Sequence, residues 1–181
     1  MTIRVIGGDL GGRRLRAPGG RSTRPTAARV REAWFSAISE RLPGADVLDL
    51  FAGSGALGIE ALSRGAARAT FIESDRTAIS CLEGNLAALA LEARAEVIRT
   101  DVFRMLAEQR KGDRVFDLAL ADPPYDKGLA GRLVEVWLER PFAGMLCVEH
   151  ARSELAGSEA DWTRAYGDTE LSFFIGPGRT E

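Results

Sequence analysis

Residues 47–58, Val47-Leu48-Asp49-Leu50-Phe51-Ala52-Gly53-Ser54-Gly55-Ala56-Leu57-Gly58, decide the fold of this chain. The first four are typical of a buried strand, and the stretch from Ala56 to Arg64, closed by Gly65, is typical of a helix. A glycine-rich turn between the two lets the backbone approach a ligand closely, and the helix N-terminus offers unpaired N–H groups. The stretch therefore predicts a ligand site at the carboxyl end of a strand in an α/β domain.

Strand and helix signals alternate in the rest of the chain. Strands are predicted at 69–72, 95–98, 115–121 and 145–149, and helices at about 26–42, 76–90, 103–107 and 129–137. The segment 162–175, with the turn residues Gly167 and Asp168, resembles an antiparallel hairpin. This order predicts a mostly parallel seven-stranded sheet with helices on both faces and an antiparallel C-terminal hairpin.

The glycine loop fits two classes of ligand. Gly53-x-Gly55-x-x-Gly58 matches the dinucleotide-binding pattern, and Glu73, about 20 residues on, can accept hydrogen bonds from both hydroxyls of a ribose. Asp49 separates the two classes, because a carboxylate beside the loop repels a pyrophosphate but attracts the ammonium and sulfonium of S-adenosylmethionine. The sequence therefore favours S-adenosylmethionine over a nicotinamide dinucleotide as the cofactor.

A second motif, Asp122-Pro123-Pro124-Tyr125, follows the apolar run 115–121. Prolines cannot donate backbone hydrogen bonds, so the strand must end in a rigid, extended corner at the edge where α/β sheets bind ligands. The Asp122 carboxylate and the Pro123 carbonyl are acceptors beside the flat ring of Tyr125. This combination suits a planar base that carries an exocyclic amino group, and Asp122, Pro123 and Tyr125 are the candidate catalytic residues.

Three other polar residues carry less specific signals. Asp101 begins the helix after the third strand, where it either caps that helix or reaches the amino group of an adenine, and the sequence leaves both open. Asn85 is expected to cap or bridge near the end of its helix. His150, the single histidine, is expected to have a structural role at a strand end. No metal site is predicted.

Length and composition limit the class of protein. A chain of 181 residues is long enough for one substantial core, so we expect a main domain, 23–181, with a basic N-terminal extension, 1–22. No stretch reaches the roughly 18–20 apolar residues of a membrane span, and the N-terminus lacks the layout of a secretory signal. The two cysteines do not suggest a disulfide framework, and we expect a cytoplasmic protein with no membrane partner.

Positive charge is concentrated near the N-terminus. Residues 1–31 contain eight arginines and one aspartate, whereas acidic residues exceed basic ones by nine in residues 32–181. Strand-like residues at 3–6 and glycine pairs at 7–8 and 11–12 predict a small ordered hairpin there. Segregated charge of this kind is typical of contact with a polyanion. The candidate nucleic-acid-binding residues are Arg4, Arg13, Arg14, Arg16, Arg24 and Arg29.

Together these motifs resemble class I S-adenosylmethionine-dependent methyltransferases that act on amino groups, whose fold is Rossmann-like. The closer resemblance is to the bacterial RsmD family, through Asp49 to Gly65, Asp122 to Tyr125, Gly7-Gly8, Arg24-Pro25-Thr26, Arg29-Val30-Arg31-Glu32 and Tyr166-Gly167-x-Thr169. It spans nearly the whole chain. It departs at Ala27-Ala28, where the family usually has a polar or acidic residue, so the resemblance supports no side-chain role at position 28.

The resemblance implies roles for individual residues. Phe51 to Gly55 would hold the methionine end of the cofactor, Glu73 its ribose, and Asp101 and Val102 its adenine. Asp122 to Tyr125 would hold the guanine. The implied cofactor-binding residues are Asp49, Phe51, Ala52, Gly53, Gly55, Glu73, Ser74, Asp101, Val102 and Asp122.

The implied reaction is transfer of a methyl group from S-adenosylmethionine to N2 of a guanine in 16S ribosomal RNA, by direct in-line displacement. In the family this is guanine 966. The implied partner is 16S RNA or a small-subunit assembly intermediate, and we expect a monomer. The alternatives are an adenine-N6 or other amino methyltransferase acting on DNA, RNA or protein, a nicotinamide-dependent oxidoreductase, and a non-catalytic RNA-binding protein.

Overall fold

A computed structural model of the protein describes residues 3–18, 25–109, 115–125, 127–155 and 159–176. The strands in these ranges are β1 (Ile3–Arg4), β2 (Arg14–Leu15), β3 (Asp46–Leu50), β4 (Arg68–Glu73), β5 (Ala95–Arg99), β6 (Phe116–Ala121), β7 (Ala143–Ala151), β8 (Trp162–Tyr166) and β9 (Thr169–Ile175). The helices are α1 (Pro25–Ala37), α2 (Ala56–Ser63), α3 (Arg76–Ala88), α4 (Val102–Glu108) and α5 (Leu129–Glu139).

The main sheet has seven strands in the order β5-β4-β3-β6-β7-β9-β8. The five strands from β5 to β7 are parallel, and β9 and β8 continue the sheet as an antiparallel hairpin. These findings confirm the predicted sheet. After β3 the chain builds outward through β4 and β5, then returns to add β6 on the other side of β3. Such a reversal opens a crevice at the carboxyl ends of β3 and β6, where open α/β sheets bind ligands.

Two apolar cores lie on opposite faces of the sheet. Alternate residues of each strand point to opposite faces, so that Val47 of β3 belongs to one core and Leu48 to the other. Helices α1, α2 and α3 cover the first face, and α4 and α5 cover the second. Asp49 follows Val47 at a spacing of two residues and therefore lies on the face of α1, α2 and α3.

Two predicted helices end earlier in the structure than the sequence suggests. The predicted helix 26–42 is α1 followed by a separate 3₁₀ turn, Ser39–Arg41, because the backbone of Ile38 leaves the α-helical region with φ −111° and ψ 12°. The predicted helix 76–90 ends at Ala88 because Ala90 has a φ of 54°. Neither difference changes the order of the elements.

The predicted N-terminal hairpin is present and packs against α2. Strands β1 and β2 pair antiparallel, with Ile3 opposite Leu15. The buried carboxylate of Glu60 in α2 accepts hydrogen bonds from the backbone N–H groups of Ile6 and Gly7, at 2.7 and 2.8 Å, and from Arg64 Nε at 2.7 Å. One buried side chain thus fixes the hairpin to the main sheet.

Two close contacts set the separation between the hairpin and α2. Gly8 has a φ of 73°, and a Cβ atom at this position would lie 1.9 Å from the carbonyl oxygen of Ser63. The hydroxyl of Ser63 donates to the carbonyl of Gly7 at 2.5 Å and accepts from the N–H of Leu10 at 3.0 Å. Position 8 therefore requires glycine for its backbone conformation and for space.

Replacing Glu60 by alanine is expected to destabilise the protein by roughly 3 kcal/mol, because two partly buried N–H groups and the Arg64 guanidinium lose their buried acceptor. Urea unfolding measures this change. Glu108→Ala is a matched control, since Glu108 pairs with Arg104 at the same helical spacing but on an exposed surface; it should cost no more than about 0.5 kcal/mol. Equal effects of the two substitutions would contradict the anchoring role of Glu60.

Candidate active site

A cavity of about 860 Å³ lies at the carboxyl ends of β3, β4, β6 and β7. Ligand sites commonly have volumes of about 300–1,000 Å³. The cavity brings together nine of the predicted site residues: Asp49, Phe51, Ala52, Gly53, Glu73, Ser74, Asp122, Pro123 and Tyr125. The sequence motifs at 49–58 and 122–125 therefore meet in one place.

The glycine loop has an unusual backbone where it leaves β3. Phe51, a residue with a large side chain, has a φ of 60°, and Gly53 and Gly55 have φ values of 56° and 78°. A left-handed backbone at a residue other than glycine is characteristic of functional sites. Gly55 lies outside the cavity wall and has a packing role, because a Cβ atom there would lie 2.3 Å from Leu82 Cδ1. Its predicted contact with the cofactor stays a prediction.

Glu73 holds the glycine loop in place through backbone contacts. Its Oε2 accepts from the N–H of Gly53 at 2.8 Å, and its Oε1 accepts from the N–H groups of Ser74 and Asp75 at 2.7 and 2.8 Å. A carboxylate offers about four acceptor positions, so three backbone contacts leave limited capacity for the predicted ribose hydroxyls. The carboxylate is therefore oriented by the protein itself.

Asp49 is a buried acid beside the loop. Its Oδ2 accepts from the N–H of Gly58 at 2.8 Å, which closes the turn into α2. Burial raises the pKa of Asp49 well above its usual value; the Gly58 N–H opposes this effect, and the Asp122 and Glu73 carboxylates add to it. A cation bound in the cavity stabilises the charged form of such a group. The site therefore suits a positively charged ligand.

Asp122 directly follows β6, next to the neighbouring strand β7. Ala121 and Val148 form the last pair of these parallel strands, and Asp122 and Glu149 are the next residues along each chain. Asp122 is exposed to the cavity, which it helps to line. Desolvation by nearby protein atoms, together with the charge of Glu149, raises the pKa of Asp122, and the Arg31 guanidinium opposes the rise.

The ring of Tyr125 is held through its hydroxyl. The hydroxyl donates to Glu149 Oε1 at 2.8 Å and lies 3.2 Å from Thr169 Oγ1 of β9. The residue is 37% exposed. An aromatic ring fixed at its polar end and accessible on its surface can serve as a stacking platform for a base.

Among the cavity residues that the sequence analysis did not predict are Arg31 of α1 and Glu149 of β7, which lie near Asp122. Arg31 Nη2 donates to the carbonyl of Arg4 at 2.7 Å, and its buried Nε has no hydrogen-bond partner among the residues described. Glu149 ends the predicted strand 145–149, next to the strand that carries Asp122. The shared sheet edge was a usable signal for Glu149. Arg31 belongs to the Arg29-Val30-Arg31-Glu32 motif, but nothing in the sequence indicated that its side chain reaches the cavity.

The N-terminal extension contributes to the cavity. Ile3, Ala17 and Pro18 form part of its wall. Asn85 of α3 joins this segment to the glycine loop: its amide nitrogen donates to the carbonyls of Arg16 and Ser54 at 3.0 and 2.9 Å, and its oxygen accepts from the N–H of Arg16 at 2.8 Å. Asn85 therefore bridges, which is one of the two roles expected for it.

The predicted nucleic-acid-binding arginines lie on the surface of the extension and of α1. Arg4, Arg13, Arg14, Arg16 and Arg29 are exposed, and Arg24 lies outside the described residues. Arg4 donates to the carbonyl of Gly12 at 3.0 Å, within the hairpin. Their contact with nucleic acid stays a prediction.

The other polar candidates lie away from the cavity wall. Asp101 caps α4 by accepting from the N–H of Arg104 at 3.0 Å, and Val102 is buried in the core beside it. Their predicted contacts with adenine stay predictions. His150 is buried between β7 and β9, with Nε2 2.7 Å from Ser172 Oγ.

Comparison with known proteins agrees with this architecture. A hypothetical protein of Thermus thermophilus superposes with a TM-score of 0.83 at 31% identity, covering 96% of this chain and 99% of that one. The T. thermophilus 16S rRNA N2 G1207 methyltransferase, solved with AdoMet and guanosine, shares the fold with a TM-score of 0.72 at 21% identity, covering 98% of this chain and 50% of that one. The fold and site define a class I S-adenosylmethionine-dependent methyltransferase.

The chain belongs to the family described as Conserved hypothetical protein 95, whose model matches residues 3–175. One curated relative is the Ribosomal RNA small subunit methyltransferase D of Escherichia coli K12, which is 45% identical over 127 residues. That match covers 70% of this chain and 62% of the relative. The predicted family resemblance, fold class and cofactor are confirmed. Among the described residues, no helix combines the length and apolar character needed to cross a bilayer.

The affinity for S-adenosylmethionine is expected to rise with pH and to fall at least about tenfold in Asp49→Asn. The raised pKa of Asp49 keeps part of the carboxyl protonated at lower pH, and a cation binds the ionised form, so binding should release protons. Calorimetry in buffers of different ionisation enthalpy measures affinity and proton release. Asp168→Asn, in the turn between β8 and β9, is the control. Unchanged affinity and proton release in Asp49→Asn would contradict the assignment.

Proposed function

We propose that the protein transfers a methyl group from S-adenosylmethionine to the exocyclic N2 of a guanine in 16S ribosomal RNA. The observation that carries this proposal is the Asp122-Pro123-Pro124-Tyr125 corner, which lines the same cavity as the glycine loop. The name of the curated relative, a small-subunit ribosomal RNA methyltransferase, supports the substrate class. Guanine 966, the site named for the family resemblance, is the proposed target.

The residues at the glycine loop fit the cofactor. Asp49 faces the cation, Phe51 to Gly53 provide backbone next to the methionine end, and Glu73 provides an acceptor for the ribose. When bound, S-adenosylmethionine would supply a sulfonium methyl group, which the N2 lone pair attacks in line, so that the N–C bond forms as the C–S bond breaks and S-adenosylhomocysteine leaves. The acidic character of the cavity suits this positively charged donor and disfavours a pyrophosphate.

The Asp122 corner prepares the amino group. The lone pair of guanine N2 is delocalised into the ring, so the free amine is a poor nucleophile. The Asp122 carboxylate and the Pro123 carbonyl accept its two hydrogens, which favours a pyramidal nitrogen with an available lone pair. Stacking on Tyr125 contributes about 1–3 kcal/mol to binding of the base. Most of the catalytic effect then comes from positioning.

The raised pKa of Asp122 also favours uptake of the proton that N2 loses after methylation. Methylation turns N2 into a cationic, acidic nitrogen that must lose one hydrogen. In its ionised form, which the Arg31 guanidinium favours, a carboxylate with a raised pKa takes up a proton more readily than an ordinary aspartate. The same group therefore orients the amine beforehand and can accept the proton afterwards.

The basic extension is proposed to hold the RNA next to this cavity. Ile3, Ala17 and Pro18 form part of the cavity wall, and the neighbouring arginines are exposed. The target base must leave its helical stack before it reaches Asp122. Contacts between the extension and flanking phosphates would keep the RNA bound while the base is extruded. The proposed partner is 16S RNA or a small-subunit assembly intermediate.

Incubation of unmethylated 16S RNA or small subunits with the protein and S-adenosylmethionine should produce N2-methylguanine, detected by mass spectrometry of the nucleosides. Asp122→Ala should lower turnover by at least about 100-fold, since it removes the acceptor that orients N2. Its affinity for the cofactor, measured by calorimetry, should stay within a few fold of the wild type. Methylation of adenine instead, or unchanged turnover in the variant, would contradict the proposal.

Replacing both Arg13 and Arg14 by glutamine is expected to weaken RNA binding and flatten its dependence on salt. Each lost phosphate contact should reduce the slope of log affinity against log salt by about 0.7–0.9. Binding titrations at several salt concentrations measure this slope. Arg68→Gln is the control, because Arg68 is exposed at the opposite end of β4 from the cavity. If the double substitution left the slope unchanged, the result would contradict a contact between Arg13 or Arg14 and the RNA phosphates.

A further inference from the structure

The Asp122 corner by itself does not choose between bases. Guanine N2, adenine N6 and cytosine N4 each carry two hydrogens, and two acceptors suit all three. The bases differ at the adjacent ring nitrogen. Guanine has an N1–H donor beside its amino group, whereas adenine N1 and cytosine N3 are acceptors. A third acceptor next to the corner would therefore let the pocket select guanine.

Glu149 provides an acceptor at this position. Ala121 and Val148 form the last pair between β6 and β7, Asp122 and Glu149 are the next residues along each chain, and the charge of Glu149 acts on Asp122. Leu120 and Cys147, two residues earlier on each strand, also pair and contribute to one core. Asp122 and Glu149 thus continue the same face of the sheet, and both line the cavity.

Contacts already orient the Glu149 carboxylate. Its Oε1 accepts from the hydroxyl of Tyr125 at 2.8 Å, and that hydroxyl also lies 3.2 Å from Thr169 Oγ1. Among the described residues no other side chain donates a hydrogen bond to Glu149. A carboxylate has about four acceptor positions, so it retains capacity for a donor on a base. The carboxylate and the proposed stacking ring are held as one unit.

From this juxtaposition we infer that Glu149 is a specificity-determining residue that accepts the N1–H of the target guanine. The inference rests on the proposed function and deepens it. Asp122 and the Pro123 carbonyl hold the amino group, and Glu149 reads the neighbouring atom of the same edge. A base with an acceptor at that atom places a lone pair against the Glu149 carboxylate. Its binding is disfavoured because the two acceptors repel each other and no hydrogen bond forms between them.

Arg31 favours the ionised form of Glu149, which acts only as a hydrogen-bond acceptor. Its guanidinium acts from α1 on both Glu149 and Asp122, and it lowers the pKa of Glu149, which burial raises. An ionised carboxylate can only accept hydrogen bonds. Arg31 is itself held by the carbonyl of Arg4 in the hairpin. The basic extension therefore contributes indirectly to the choice of base.

The competing explanation is that Glu149 only anchors Tyr125. The two explanations differ for an RNA in which 2-aminopurine replaces the target guanine. This base keeps the amino group at C2, but its N1 is an acceptor and it lacks O6. The ratio of kcat/KM for guanine RNA to that for 2-aminopurine RNA is measured for the wild type, Glu149→Gln and Tyr125→Phe. Differences in intrinsic reactivity and at O6 affect all three ratios equally.

The wild-type ratio is expected to exceed that of Glu149→Gln by at least about tenfold, because a glutamine amide can pair with either form of N1. Tyr125→Phe removes a contact that orients Glu149 but keeps the carboxylate, so its ratio should fall clearly less than that of Glu149→Gln. Competition binding of the two RNAs in the presence of S-adenosylhomocysteine measures the same preference without turnover.

Equal ratios in the wild type and Glu149→Gln would overturn the inference. A loss of preference in Tyr125→Phe as large as that in Glu149→Gln would also overturn it, since anchoring would then suffice. A wild-type protein that methylates neither RNA would instead overturn the proposed function itself, and the inference with it. A loss of preference in Glu149→Gln that clearly exceeds any loss in Tyr125→Phe supports the assignment.

Discussion

Mutual repulsion among carboxylates is the constraint on which this site depends. Asp49, Glu73, Asp122 and Glu149 end or flank four neighbouring parallel strands and line one cavity. Desolvation raises the pKa of Asp49, Asp122 and Glu149, and neighbouring carboxylates add to the rise at Asp49 and Asp122. The protein holds this unfavourable arrangement with the rigid sheet and with backbone N–H groups. A cationic ligand relieves it, which gives the site a built-in preference for the sign of charge it accepts.

The N-terminal extension is an integral part of the same arrangement. Glu60 fixes the hairpin to α2, Asn85 joins it to the glycine loop, and the carbonyl of Arg4 holds Arg31 next to the two substrate-side acids. Ile3 belongs to the core that covers this face of the sheet. RNA bound to the extension, as proposed, would therefore act on residues that reach the cavity directly.

The sequence predicted the parts of this site that lie in short continuous motifs. In the loop at 49–58 and the corner at 122–125, glycines and prolines determine the backbone conformation locally. The alternation of strands and helices predicted that both motifs lie at one edge of the sheet. Glu149 and Arg31 were missed because strand register and helix packing, which are non-local, bring them to the cavity. Gly55 belongs to such a motif and was predicted to contact the cofactor. In the structure it lacks space for a side chain because Leu82 packs against it.

The hydroxyl of Tyr125 lies within hydrogen-bond distance of Thr169, so the antiparallel strand β9 contacts the part of the cavity assigned to the base. The methyl donor is assigned to β3 and β4, on the other side of the reversal in strand order. Donor and acceptor thus belong to separate halves of one sheet. Such modularity lets evolution retarget the enzyme to a new nucleotide by altering the C-terminal half, while the inherited donor half stays intact.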